Sequence, residues 1–479
     1  MQISKREFLK KLGLLGAAGV ARSAVGDEYV ATAAKLPPGS VGDPANVWFG
    51  QRIYPTPHTF EDGPSCFLRG GKVVRPEAEI PVFHETDVVV VGGGPAGFAA
   101  AVAASRAGAK VALVEMMGSL GGLFTNGMVL LMLATSRQEE SGSWTLVSRG
   151  VCEEFMHRAA ALGPKVSNFD VKAVMDRHFQ PTVDPEGAKY LMDKMVVESG
   201  VELFLHACGV DVIQDGPNVL GIVFQSKQGP QAILAKQVVD CSGDADIAFA
   251  AGAGYRQITH GIGFTARLAN MDRVTAAKAP ENPGIDMYGR PYMWPVKGNE
   301  GNPSARWVSG LGPKGDGLSV RDLTKAEVEH RRYWWEHVAK MQKTKGWEEV
   351  FIANTCSLIG PRATRLIDAE FVVTRDSIAT GTDYPDIVGW FGEDGAGSHP
   401  AMPIPYRSLL PKGAENVLCA GRCIGAPDTI DTFRLICPCF VSGQAAGVAA
   451  AVAAKKGVSP RRLAYADIRA ELLRQSVFI

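Results

Sequence analysis

Three glycines, Gly92, Gly94 and Gly97, follow a run of apolar residues with the spacing G-x-G-x-x-G. In a turn between a strand and a helix, the first glycine allows the sharp turn and the second lets a diphosphate approach the backbone. The third lets the helix pack closely on the strand. The helix that begins at Pro95 and Ala96 would add positive potential at its N-terminus. The spacing therefore predicts a dinucleotide-binding turn.

Glu115 is the next residue whose position suggests chemistry. It follows a second apolar run, 111–114, after an Ala-rich segment. A carboxylate at this point accepts hydrogen bonds from ribose hydroxyls and disfavours a ribose 2'-phosphate. The apolar run at 88–91 predicts a strand buried on both faces, and the run at 111–114 closes a βαβ unit. A strand before the glycines, a helix after them and an acidic residue at the end of the next strand together indicate a dinucleotide site far more specifically than the three glycines alone.

Downstream patterns extend this unit into an α/β fold. Residues 186–199 have helical apolar spacing, and Gly200 is expected to end that helix. Short alternating runs then predict an antiparallel meander that returns to the parallel sheet at residues 238–239. A further helix is expected over 324–345, where the aromatic residues 333–335 are interpreted as a core-facing stripe rather than a substrate wall.

Composition narrows the class of partner. The 479 residues carry 50 basic and 50 acidic side chains, so the net charge of zero argues against a nucleic-acid partner and favours a small molecule. The nine cysteines include no CxxC pair, which argues against a disulfide scaffold or a zinc ribbon. No metal site is predicted.

The N-terminus predicts an export signal over residues 1–34. The segment SKREFLKK resembles the twin-arginine signal, with Lys5 in place of the first arginine and Arg6 as the second. A weakly apolar stretch at 12–21 and small residues at 31–33 follow, as in a cleavable signal. The mature protein would then be periplasmic or secreted. The alternative is a basic amphipathic helix on a cytoplasmic protein. No other segment is expected to span a membrane.

Five segments resemble, in order, the motifs of the FAD-dependent oxidoreductase family related to the fumarate reductase and glutathione reductase flavoproteins. They are VALVEMMGSLGGLFTNG, VVDCSGDADIAFAAGA, SLIGPRATRLIDAEFVVT, IPYRSLLPKGAENVLCAGRCIGA and SGQAAG. The resemblance implies FAD as the cofactor. It assigns cofactor contacts to a second glycine turn, an adenine-facing position, two strand-end turns and a helix under the flavin ring: Gly121, Gly122, Val210, Gly243, Asp244, Gly421, Arg422, Gly443, Gln444 and Ala445.

The same resemblance implies a Rossmann-like FAD-binding domain with an inserted substrate-binding domain. The expected division begins with an export signal (1–34) and an irregular arm (35–84). A discontinuous FAD-binding domain follows (85–134, 185–258 and 401–460), with a substrate-binding domain inserted in it (135–184 and 259–400). A C-terminal helix (461–479) ends the sequence.

Three residues are candidates for catalysis. His399 precedes the return to the FAD-binding domain and could be a general base, although a lone histidine is commonly structural. Arg362 could hold an anionic or carbonyl-bearing substrate, or it could be structural, as could its neighbour Arg365. Arg434, beside Asp431, precedes the C-terminal Ala/Gly-rich helix, where a cation could stabilise reduced flavin.

Cys437 and Cys439 bracket Pro438 at the start of that helix. Proline suits the first turn of a helix, and one intervening residue is too few for a CxxC redox pair. We therefore interpret the stretch as a helix start, and the family resemblance implies that this helix start faces the flavin. The alternative is a reactive Cys439 whose pKa is lowered at the helix N-terminus.

These patterns predict an exported enzyme that transfers a hydride between a small organic substrate and non-covalently bound FAD. No second glycine fingerprint was found to follow a strand, so electrons would pass to or from a separate acceptor or donor. One alternative is a flavoprotein electron-transfer subunit without its own substrate, and another is an NAD-dependent dehydrogenase. Nucleic-acid-modifying flavoproteins share the fold, but zero net charge and the export signal disfavour them.

Overall fold

The computed structural model describes residues 66–177, 180–278, 304–393 and 400–479. The predicted export signal and His399 lie outside these residues. Among these residues, those up to Ala78 belong to one unit and those from Glu79 onward belong to another. The described part of the first unit contains a β-hairpin, so the expectation of a wholly irregular arm over 35–84 is wrong at that point.

Nineteen strands are defined in the described residues. They are β1 (Phe67–Arg69), β2 (Lys72–Val74), β3 (Val82–Val91), β4 (Val111–Glu115), β5 (Ser136–Gln138), β6 (Trp144–Leu146), β7 (Glu202–Leu205), β8 (Cys208–Asp215), β9 (Asn218–Ser226), β10 (Gly229–Asp240), β11 (Tyr255–Gln257), β12 (His260–Ala269), β13 (Ala305–Gly315), β14 (Phe351–Thr355), β15 (Gly360–Pro361), β16 (Arg365–Ile367), β17 (Ile387–Phe391), β18 (Met402–Pro405) and β19 (Val417–Cys419).

The α-helices of the described residues are α1 (Pro95–Arg106), α2 (Val151–Ala161), α3 (Val171–Arg177), α4 (Pro185–Glu198), α5 (Asp246–Ala250), α6 (Met271–Ala276), α7 (Val320–Met341), α8 (Arg375–Ala379), α9 (Ile430–Phe433), α10 (Ile436–Lys456) and α11 (Tyr465–Arg474). Short 3₁₀ helices cover Tyr406–Leu409 and Pro460–Arg462.

A seven-stranded sheet carries the predicted nucleotide-binding unit. Its order is β7-β4-β3-β10-β9-β8, and β19 pairs with the C-terminal half of β10. Strands β7, β4, β3, β10 and β19 are parallel, whereas β8 and β9 are antiparallel, as the meander pattern predicts. The α/β class with a Rossmann-like parallel sheet is confirmed. Apart from the start of β3, all seven strands fall within the segments expected to form the FAD-binding domain.

Helix α10 packs directly on α1 through two glycines. A Cβ atom added at Gly443 would lie 2.0 Å from the carbonyl oxygen of Ala96, and one at Gly447 would lie 2.1 Å from that of Ala100. The two backbones can approach this closely only because neither glycine has a side chain. Among the described residues, α10 is also long and apolar enough to cross a membrane. However, 94% of its most apolar window is buried inside the protein, as in a core helix.

A separate sheet of four strands, β13-β12-β14 with β15 pairing β12, lies in the segment expected to bind substrate. Helix α7 packs against this sheet and shares with it a core that includes Trp307, Trp334 and Trp347. Trp334 is fully buried, but 74% of Trp335 is exposed, so the prediction of one core-facing aromatic stripe is wrong for Trp335. Trp307, Trp334 and Trp347 thus form part of a structural core.

Two histidines on α7 are buried in this core, His330 and His337. Burial lowers the pKa of His337 to about 4, with a smaller effect of the Lys340 charge, and burial also lowers the pKa of His330. Unfolded chains bind a proton at these sites near pH 6.5, whereas the folded protein stays neutral until a lower pH. The unfolded state therefore binds more protons in that window, and stability falls as pH falls.

We predict that the free energy of unfolding decreases between about pH 6.5 and pH 4, with His337 contributing up to about 3 kcal/mol. Urea titrations at both ends of this range measure the loss, and His337→Phe should reduce it. His157→Ala is the control, because that histidine is 52% exposed. An equal loss in the wild-type protein and in His337→Phe would contradict the prediction.

Candidate cofactor and active site

A cavity of about 420 Å³ lies where the parallel strands end. Residues at the carboxyl ends of β3, β4, β10 and β19 all contribute to its wall, including Gly92, Glu115, Cys241 and Ala420. The carboxyl ends of the strands form the usual ligand crevice of an open α/β sheet. The inserted four-stranded sheet adds a further part of the wall.

The first glycine turn has the predicted division of roles. Gly92 has a φ of +94°, and a Cβ there would lie 2.4 Å from the carbonyl oxygen of Cys241. A Cβ at Gly97 would lie 1.7 Å from the carbonyl oxygen of Gly92, so this glycine permits the close packing of α1. Gly94 is the N-cap of α1 and lines the cavity, with no atom within 4 Å of its Cβ position. The space beside Gly94 is therefore available to a ligand.

The second glycine turn meets the first. Gly121 has a φ of +103° and donates its backbone N–H to the carbonyl oxygen of Gly93 at 2.8 Å. Gly122 lines the cavity, and its Cβ position is 3.1 Å from the Cα of Gly94. Backbone from two separate segments thus borders the same part of the cavity, where only groups without side chains leave room for a diphosphate.

Glu115 is 5% exposed and lines the cavity. Its Oε2 accepts the N–H of Gly93 at 2.6 Å, and its Oε1 accepts the N–H of Met117 at 2.7 Å. Burial raises the pKa of this carboxyl group, and the two amides oppose that rise. Each carboxylate oxygen can accept a further hydrogen bond, so the fixed side chain can still receive ribose hydroxyls.

Arg422 joins three segments at the cavity wall. It donates from Nε to the carbonyl oxygen of Gly243 at 2.8 Å and from Nη2 to Asp244 Oδ1 at 2.7 Å, and it also bonds the carbonyl oxygen of Pro361. The same Asp244 oxygen accepts the Thr364 hydroxyl at 2.5 Å. Gly243, Asp244 and Arg422 line the cavity, as does Gly421, whose φ is +81°.

Four of the cofactor contacts expected from sequence lie elsewhere. Val210 is 51% exposed and is not in the wall, which ends at Gly209 on this strand. Gly443 packs on α1, and Ala445 is fully buried away from the cavity. The Gln444 side chain accepts the N–H of Val151 at 2.8 Å and donates to Gln475 at 3.2 Å. Val210 therefore lies on a strand surface and Gly443 in a contact between helices. Ala445 belongs to the core, and Gln444 makes structural hydrogen bonds.

Both described catalytic candidates reach the cavity. Arg362 and Arg434 line it, whereas Arg365 is bound to Asp246 at 2.9 Å and stacks over Phe249 at 4.2 Å. Arg365 is therefore structural. Arg434 donates from Nε and Nη2 to Asp431 Oδ1 at 3.2 and 2.8 Å. Together with Arg422, these two candidates bring the number of arginines that the structure describes in the cavity wall to three.

The start of α10 lines the cavity through Ile436 and Cys439. Burial raises the pKa of Cys439 to about 12, and the nearby Arg422 only partly offsets this effect. Burial also raises the pKa of Cys437, whose thiol contacts that of Cys152 rather than the cavity. The interpretation as a helix start facing the site agrees with this geometry, and the reactive-thiolate alternative does not.

Several wall residues were not predicted from the sequence. Gly263 and Thr265 come from β12, and Leu358, Ile359 and Gly360 come from the segment before Arg362. The motif SLIGPR contains the second group, but nothing in its composition separates wall residues from core residues. Among the described residues, no group of three or more His, Cys, Asp or Glu side chains could hold a metal ion.

Comparison with known proteins supplies the family. The family described as FAD dependent oxidoreductase matches residues 87–472, which include both glycine turns and α10. The chain belongs to this family. The FAD-dependent oxidoreductase family accounts for the order of the motifs and makes FAD, rather than NAD, the cofactor of this enzyme.

Individual relatives match much shorter stretches. Dihydrolipoyl dehydrogenase of Trypanosoma brucei brucei is 54% identical over 46 residues, or 10% of this chain and 10% of that protein. Sarcosine oxidase subunit alpha of Corynebacterium sp. (strain P-1) is 30% identical over 187 residues, or 36% of this chain and 18% of that protein. This oxidoreductase thus spans a small part of the length of either relative.

Among solved structures, one aligns with most of this chain at low sequence identity. A geranylgeranyl bacteriochlorophyll reductase-like protein from Thermoplasma acidophilum is 13% identical, with a TM-score of 0.40 over 82% of this chain and 84% of that chain.

The residues present fit FAD. Gly94 and Gly122 leave room for a diphosphate at the N-terminus of α1, and Glu115 offers carboxylate oxygens for ribose. Asp244, Arg422, Arg434 and the start of α10 add polar and charged groups to the same wall. The lining of the cavity in this FAD-dependent oxidoreductase thus contains the kinds of group that the cofactor requires.

Proposed function

We propose that this FAD-dependent oxidoreductase transfers a hydride between a small organic substrate and non-covalently bound FAD, and exchanges the electrons with a separate acceptor or donor. The observation that carries the proposal is the mixed wall of the cavity. Glycine turns of the large sheet border one part, and β12 of the inserted sheet borders another through Gly263 and Thr265. A substrate that enters beside the inserted sheet would meet the cofactor there.

The protein groups in the wall of the cavity suit a redox site. When bound, FAD supplies the acceptor or donor of two electrons. Arg362 and Arg434 contribute cationic groups that can bind a polar substrate group or stabilise developing negative charge. Burial of the start of α10 limits access of water. We propose His399, outside the described residues, as the general base.

A separate electron partner is supported by the single nucleotide fingerprint. Residues 310–315 repeat the spacing G-x-G-x-x-G, but they lie within β13 rather than in a turn between a strand and a helix. This position does not suit a second dinucleotide. We therefore propose that electrons leave or enter through a substrate or a separate carrier. The zero net charge supports the further proposal that nucleic acid is not a partner.

Export of the folded, FAD-loaded protein is also part of the proposal, with a periplasmic or secreted location. The support is the basic segment with Lys5 and Arg6 ahead of an apolar stretch. Fusion of residues 1–34 to a reporter tests it, with an Arg6→Gln fusion as the control. Retention of both reporters in the cytoplasm would contradict export.

The decisive experiment for the activity is anaerobic flavin spectroscopy of the purified protein. A panel of alcohols, amines, hydroxy acids, steroids and unsaturated acids is added to the oxidised or chemically reduced holoenzyme. We expect one class to bleach or restore the flavin band, and Arg362→Gln to slow that change. A colourless protein that FAD cannot reconstitute would overturn the proposal. Flavin that responds only to a protein partner would instead favour an electron-transfer subunit.

A further inference from the structure

A histidine of the inserted sheet contacts the segment that precedes α10. His260, the first residue of β12, places Nε2 at 3.3 Å from Asp431 Oδ1 and 3.4 Å from Asp431 Oδ2. The same Asp431 accepts two N–H groups of Arg434. His260 and Asp431 do not line the cofactor cavity, whereas Arg434 does. The three side chains form a chain of contacts that ends at the cavity wall.

The hydrogen bonds define which nitrogen of His260 carries the proton. The backbone N–H of Gly261 donates to His260 Nδ1 at 2.7 Å, so Nδ1 is an acceptor. The neutral ring must then carry its proton on Nε2, which donates to Asp431. His260 therefore acts as a fixed donor from β12, and its backbone neighbour sets its tautomer.

Asp431 is held as a carboxylate by this arrangement. Its burial alone would raise its pKa, but the hydrogen bond and charge of Arg434, together with His260, lower that pKa below its usual value. About half of the Asp431 side chain is exposed, whereas Arg434 is 20% exposed. The carboxylate restrains a long, flexible cation that would otherwise sample several rotamers.

We propose that His260 and Asp431 are positioning residues that hold Arg434 at the flavin end of the cavity. This inference rests on the proposed function, because it assumes that FAD occupies the cavity with its ring near the start of α10. A guanidinium group fixed there favours the negatively charged, reduced form of the cofactor. The contact between β12 and the segment before α10 thus tunes the reduction potential of the enzyme without touching the cofactor.

The test is a double-mutant cycle read by the midpoint potential of bound flavin. We expect Arg434→Gln to lower the equilibrium constant for reduction about tenfold, which corresponds to about 30 mV for a two-electron couple. His260→Ala should shift the potential in the same direction by a smaller amount, because Arg434 is less restrained. His260→Gln should restore the wild-type potential, since its amide can donate to Asp431.

The cycle separates positioning from an independent effect. If His260 acts through Arg434, then His260→Ala adds no shift in the Arg434→Gln background. His157→Ala is the matched control, an exposed histidine 4.0 Å from Glu153, and should leave the potential unchanged. An additive shift in the double variant, or an unchanged potential in His260→Ala, would overturn the inference. Absence of bound FAD in the wild-type protein would instead contradict the proposed function.

Discussion

Gly94→Ala is expected to abolish retention of FAD while the protein still folds. Gly94 lines the cavity, and its Cβ position has no neighbour within 4 Å. Its φ of −65° and ψ of −177° suit alanine, so the unliganded backbone accommodates the change. The methyl group would project into the space that the diphosphate needs. We expect FAD affinity to fall at least about 100-fold, or about 2.7 kcal/mol.

Equilibrium dialysis or flavin fluorescence measures that affinity, and urea unfolding of the apoprotein measures stability. Alanine is a poorer N-cap than glycine, so the apoprotein should lose less than about 1 kcal/mol. FAD affinity within threefold of wild type would contradict the assignment of the diphosphate site. A large loss of apoprotein stability would show that Gly94 has a packing role that the structure does not contain.

Gly443→Ala is expected to have the opposite profile, with a large loss of stability in the absence of FAD. The new Cβ would lie 2.0 Å from the carbonyl oxygen of Ala96, which belongs to the backbone of α1 and cannot move alone. Separating α10 from α1 would disturb a fully buried interface. Overpacking of this kind costs about 1–3 kcal/mol, and the rigid contact places Gly443 at the upper end.

Urea unfolding of the apoprotein measures the effect, and Gly447→Ala should reproduce it because that Cβ would lie 2.1 Å from the Ala100 carbonyl oxygen. Gly94→Ala is the matched control. It adds the same methyl group at the N-cap of α1, where no atom lies within 4 Å of the Cβ position. Gly443→Ala apoprotein that is as stable as wild type would contradict the packing role of Gly443.

The first nucleotide-binding turn could be predicted from the sequence because its determinants are local. Gly92, Gly94 and Gly97 act within one turn, and Glu115 is placed by the next strand. The positive φ and the close backbone approach at Gly92 leave little choice of residue. The return of the antiparallel meander to the parallel sheet, in β10, could be predicted from similar apolar runs.

The assignments that failed depend on contacts between distant segments. Gly443 and Ala445 form a small-residue stretch, which has the same sequence pattern whether it faces a ligand or another helix. Its partner α1 lies more than three hundred positions earlier, so the contacting face could not be known. Val210 fails for a different reason. The pairing of β8 with β9 skips it between Gly209 and Asp211, and such a bulge leaves no clear mark in a sequence.

The contact that the inserted sheet makes with the segment before α10 also could not be predicted from the sequence. His260 begins an ordinary alternating strand, and its contact with Asp431 depends on how β12 lies beside the segment before α10. Arg434 could be proposed because it precedes a recognisable helix. The residues that orient it could not, because they carry no motif of their own.

The packing of α10 on α1 imposes an order of events during synthesis. The first glycine turn is translated early, but its helix acquires its main partner only when the chain has been extended through Lys456. The nascent chain therefore emerges with an apolar, Ala-rich helix uncovered and an incomplete cofactor pocket. Capture of the cofactor in its complete pocket must therefore follow synthesis of the chain through Lys456. A cell that moves this protein across a membrane with its flavin in place needs a translocation route that accepts folded cargo.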